Sequence, residues 1–133
     1  MSVAPHIVSL YAALLAFAFV GLSIRTLRLR KRLRIVIGDA GDTSMLRAMR
    51  VHANFAEYVP LALLLIYFVE LSGAGAAWVH TMGASLLVGR VVHAIGVSRV
   101  HEDLRWRVVG MTLTLLPIVT AALRLLVLAW CGG

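Results

Sequence analysis

Long apolar runs alternate with short polar breaks along this chain, and the runs have membrane length. The first covers about residues 4–24, through SLYAALLAFAFVGLS, with no Lys or Arg before Arg25. A basic run, RTLRLRKRLR, follows, and IGDAGDTS then breaks the helix with Gly38 and Gly41. Asp42, Thr43 or Ser44 can cap the next helix. The second run covers about residues 44–71 and ends at SGAGAA, with Pro60 inside it. Proline breaks a soluble helix but is tolerated in membranes, so a kink is predicted there. The third covers about residues 76–97 and the fourth about 105–130, with the polar SRVHED turn between them. Each exceeds or approaches the roughly 20 apolar residues that cross a bilayer. The prediction is an all-α membrane protein, a bundle of four transmembrane helices forming a single domain over residues 1–133.

Composition leaves little alternative. Of 133 residues, 61% are apolar, and the mean hydropathy is +0.92, more than a water-soluble surface tolerates. The first run lacks a positive leader and a small-residue cleavage site, so it reads as a retained helix. Cys131 is the single cysteine, cannot form an intrachain disulfide, and reads as an inert terminal thiol.

The chain is basic, with 13 Lys and Arg against 6 acids. These charges fall between the apolar segments and do not form the stripe a nucleic-acid groove requires. The loop after the first helix holds Arg25, Arg28, Arg30, Lys31, Arg32 and Arg34, and the loop after the third holds Arg99, Arg105 and Arg107. The loop after the second has none. Positive residues stay cytoplasmic, so both termini are expected on the non-cytoplasmic side.

On the second helix Arg47, Arg50, Asn54 and Glu57 recur at spacings of three, four and three. At 100° per residue they share about an 80° arc. A charge at the membrane centre costs about 2.5 to 3.5 kcal/mol, so this stripe is expected to face the bundle interior or a wet cavity. Arg50 and Glu57 could make a buried ion pair that fixes helix packing, with Asn54 as glue between helices. Seven residues separate them, about 10 Å along the axis, too far for a direct pair. They could instead hold the two ends of a zwitterionic peptide. His52 points about 160° from Asn54 and so meets a different neighbour. It shows no metal-ligand spacing with His80, His93 or His101. Phosphate-binding glycine loops and serine-nucleophile motifs are absent from the sequence.

The run RVHANFAEYVP resembles the R-x-H/Q-x-N-x-x-E-Y/N motif of the MAPEG superfamily, the membrane-associated proteins of eicosanoid and glutathione metabolism. The preceding GDAG turn is similar to that of small bacterial members. The resemblance spans the whole chain and implies a homotrimer with glutathione, as co-substrate, bound between subunits near the cytoplasmic face. It implies that Arg50, Asn54, Glu57 and Tyr58 line one wall of that site, and that His52 reaches the neighbouring subunit's ligand. Arg28 or Arg30 would approach from the adjacent chain. On the third helix Arg90 matches a family arginine, while His93 and Val97 stand where a leukotriene synthase of the family has tyrosines. At the start of the fourth, Arg105 corresponds to the arginine that activates the thiol, with Arg107 nearby.

The implied activity is a glutathione transferase or peroxidase of the bacterial inner membrane, a detoxifying enzyme acting on apolar electrophiles or lipid hydroperoxides that the lipid bilayer delivers. The alternative is a non-catalytic lipid- or glutathione-binding protein of the same fold. A small multidrug transporter would share the four-helix length but predicts a membrane-embedded acid in the first helix, which has none.

Overall fold

A computed structural model describes residues 6–99 and 104–131. It contains four helices, α1 (Ile7–Leu33), α2 (Thr43–Leu71), α3 (Ala76–Ser98) and α4 (Leu104–Cys131), each long and apolar enough to cross a membrane. The expected start of the first helix at Ala4 and most of the SRVHED turn, with His101, lie outside the described residues.

Three of the helices match their predicted spans closely, but α1 does not end at Ile24. It continues through the basic run to Leu33, so all of those arginines but Arg34 stand on a helix and not in a loop. Arg, Leu and Lys are all strong helix formers, and no glycine or proline interrupts them. At about 1.5 Å per residue, 27 residues make a rod of about 40 Å, longer than the hydrocarbon layer of about 30 Å. The basic turns therefore project past the apolar layer. Arg34 ends the helix in a left-handed conformation (φ 56°), with Ile35 N–H donating back to the Arg30 carbonyl at 3.1 Å.

Asp42 is the cap of α2, its Oδ1 accepting from the Met45 N–H at 2.8 Å. The helix runs unbroken through Pro60, as α4 does through Pro117. The N-terminus of α1 is capped from a distance: the carboxylate of Glu70, near the end of α2, accepts from the N–H groups of Ile7 and Val8, both at 2.9 Å. An acid at a helix N-terminus satisfies orphan donors and complements the macrodipole.

The core lies where α1, α2 and α3 meet, in one buried cluster that includes Leu15, Phe55, Ala62, Ile66 and Leu86. Contact between α3 and α4 depends on small residues. A Cβ on Gly89 would meet the Gly110 carbonyl oxygen at 2.9 Å, and one on Gly110 would meet the His93 backbone nitrogen at 2.7 Å. Membrane helices associate by such close packing because lipid supplies no hydrophobic drive between them. Many outward-facing positions are large and apolar, Phe17 being 78% exposed, the inverse of a water-soluble bundle.

Candidate functional site

Arg90 is the centre of the polar arrangement. Its position on α3 turns it into the bundle, where it is 2% exposed. Nη1 donates to the Asn54 side-chain oxygen at 2.7 Å and to the Asn54 carbonyl at 3.3 Å. Nη2 reaches the Met111 sulfur at 3.6 Å, and the guanidinium lies 5.9 Å from the centre of the Tyr58 ring. The Nε–H is buried without an acceptor among the described residues. All of these partners are neutral. A buried cation is expensive unless an anion accompanies it, so this geometry favours a negatively charged group close by.

Asn54 and Tyr58 are thus brought to Arg90, while Arg50 and Glu57, from the same predicted stripe, face out of the chain. Glu57 sits midway along α2 and is exposed. The stripe therefore divides: its Asn54 edge packs inward on α3 and its charged edge is presented to whatever covers α2. Arg47, also in the stripe, donates through Nη1 to the Val97 carbonyl at 3.1 Å and so ties α2 to the end of α3.

His52 occupies the opposite side of α2 and meets α1. Its Nε2 lies 3.0 Å from the Ser23 hydroxyl, and its ring stacks on Phe19 with centroids 4.7 Å apart. His93 is buried (5% exposed) where α3 crosses α4 at Gly110, and Val97 is buried one turn further on. Arg30 donates to the Gly38 carbonyl at 3.0 Å, which leaves Arg28 as the exposed member of that pair.

At the basic end of the bundle, a cavity of about 350 Å³ is lined by Arg47, Arg50, Val97 and Arg107, among others. The sequence-based register placed Arg105 beside the stripe; in this chain Arg107 is the arginine that shares a cavity with Arg50, and Arg105 is not among its lining residues.

Sequence reasoning missed Met111, Ser23 and Glu70. Met111 and Ser23 lie in apolar runs without any distinguishing neighbour. Glu70 had a readable signal: it is the only acid within an apolar stretch at the end of α2, and α1 has no acid in its first turn.

Comparison with known proteins agrees with this architecture. The inner membrane protein YecN of Escherichia coli K12 is 40% identical over 121 residues, covering 91% of this chain and 87% of that protein. YecN from E. coli O6:H1 strain CFT073 matches to the same extent. No solved structure matches the chain significantly. The MAPEG family model matches residues 8–127, which takes in all but the outermost turns of the four helices. This four-helix chain belongs to the MAPEG family.

Proposed function

We propose that the protein is a homotrimeric glutathione transferase or peroxidase, a multi-pass protein of the inner membrane with both termini on the non-cytoplasmic side. The observation that carries this reading is the buried guanidinium of Arg90, which is held by Asn54 and stacked near Tyr58 without an anionic partner among the described residues. Beside it, Arg50 and Glu57 face outward from α2 with opposite charges. Lipid is a poor neighbour for either. A second copy of the chain, with glutathione between the copies, supplies both with polar partners. Glutathione carries carboxylates for the arginines and an ammonium for Glu57. The inner-membrane location draws support from the name of the E. coli relative and the sidedness from the arginine distribution.

The residues would hold glutathione by its charged ends and favour its thiolate, which is the nucleophile. A free thiol of pKa about 8.5 is only a few per cent ionised at neutral pH, and a neighbouring arginine shifts that balance. Arg107 lines the same cavity as Arg50 and is one candidate for this role, with Arg105 as the other. In transfer, the thiolate forms a carbon–sulfur bond to an apolar electrophile, whose leaving group departs with the bonding pair; the thiol proton goes to solvent. In peroxide reduction, two glutathiones become one disulfide as the hydroperoxide becomes an alcohol and water.

The test is conjugation of a chlorinated nitrobenzene by detergent-solubilised protein with glutathione, together with native mass in detergent. Product formation by a trimer is expected. Glutathione binding without product would replace the enzyme with the non-catalytic binding protein, and absence of both would overturn the reading.

A further inference from the structure

A larger cavity lies between the last turns of α1, the first turn of α2 and the end of α3, with a volume of about 830 Å³. Arg25, Arg28, Arg32 and Arg47 line it, and none of its lining residues is acidic. Arg25, Arg28 and Arg32 follow one another at three and four residues, so they form one stripe of α1, and the same stripe begins at Gly21.

Two of the arginines are oriented by neutral groups at the end of α3. Arg25 Nη1 donates to the Ser98 hydroxyl at 2.6 Å, and Arg47 Nη1 to the Val97 carbonyl at 3.1 Å. The bond to Ser98 aims the Arg25 guanidinium and leaves its positive charge in place. The hydroxyls of Thr43 and Ser44 add further donors.

The other end of the cavity is apolar. Gly21 and Ile24 line it, and a Cβ added at Gly21 would meet nothing within 4 Å. From there the surface continues to the exposed side chains of Val20 and Phe17. The cavity therefore passes from cationic to hydrocarbon-like at the level where the apolar part of α1 gives way to its basic turns. A soluble anion would fill only the first of these environments.

We propose that this cavity binds the phosphate of an anionic membrane phospholipid, with an acyl chain lying along Gly21 and Ile24. Guanidinium groups match phosphate oxygens in paired, charge-assisted hydrogen bonds. The lining is built within one chain and shares Thr43 and Arg47 with the smaller cavity beside Arg50, so the variants that test it, at Arg25, Arg32 and Gly21, fall on residues that the smaller cavity does not include.

The experiment is native mass spectrometry of the full chain released from nanodiscs of phosphatidylcholine mixed with phosphatidylglycerol. The parent should retain phosphatidylglycerol in preference to phosphatidylcholine. Any basic surface attracts anionic lipid, so the matched control is Lys31→Ala with Arg99→Ala, which removes equal charge outside the cavity. Retention by Arg25→Ala with Arg32→Ala should fall about tenfold further than in that control, the loss expected for a charge-assisted contact. Gly21→Leu keeps every charge and should also lose the retained lipid, which decides the matter if the arginine variant folds poorly by circular dichroism. Equal loss in the two double variants would reduce the effect to diffuse surface charge and overturn the site. Unchanged retention in Gly21→Leu, or arginine-dependent binding of inorganic phosphate in place of lipid, would overturn the lipid assignment.

Discussion

Asn54 Oδ1 accepts a hydrogen bond from Arg90 Nη1 at 2.7 Å, joining the motif-bearing face of α2 to a guanidinium buried on α3. Removing the acceptor strands a buried cation, and hydrogen bonds to charged groups contribute about 1.5 to 3 kcal/mol. Asn54→Leu should therefore lower stability in detergent by about that amount, and Arg90→Met added to it should recover part of the loss, because the stranded charge is gone. A double-mutant cycle on thermal unfolding reads the coupling. Simple additivity would show that the contact contributes nothing.

Glu70 caps α1 across the fold through two 2.9 Å bonds. Glu70→Ala should cost about 0.5 to 2 kcal/mol, the range for a lost N-cap. Hydrogen exchange should quicken first at the amides of Ile7 and Val8. Unchanged exchange there would refute the cap.

At the crossing of α3 and α4, Gly110→Ala drives a Cβ against the His93 backbone, which can yield only if the helices move apart. A loss of about 1 to 3 kcal/mol is expected from overpacking. Gly21→Ala, which meets open space, serves as the matched neutral change.

Glu57 is exposed on a single chain, so Glu57→Gln should leave the fold of the protomer intact. Under the glutathione reading it weakens ligand binding by about 2 to 5 kcal/mol, as for one partner of a desolvated charge pair. Titration calorimetry with glutathione measures this alongside native mass. Loss of assembly with unchanged affinity would make Glu57 a packing residue between copies.

The last prediction concerns thiol activation. Arg107 shares a cavity with Arg50, so Arg107→Ala should diminish the ultraviolet thiolate signal of bound glutathione more than Arg105→Ala does. A two-unit fall in thiol pKa corresponds to about 2.7 kcal/mol, enough to make the thiolate the main form at neutral pH. The reverse order would mean that the productive arginine comes from the face that Arg105 presents to another copy. No change in either would remove this helix from the chemistry.

Sequence alone determined the four helices, three of them nearly to the residue, because about 20 apolar positions in succession leave a chain no other way to satisfy its backbone in lipid. It also determined that Asn54 and His52 meet different neighbours, since 200° of helical rotation separates them whatever surrounds the helix. Which neighbours they meet was decided only by tertiary structure: Arg90 for Asn54, Ser23 and Phe19 for His52. Periodicity specifies a direction around one axis and carries nothing about the element lying in that direction. The same limit explains why one stripe on α2 split into an inward Asn54 and outward Arg50 and Glu57. The length of α1 was hidden for another reason. Hydropathy marks where lipid ends, but helix propensity continued through the arginines to Leu33, and only packing against α2 and α3 gathered them around a cavity.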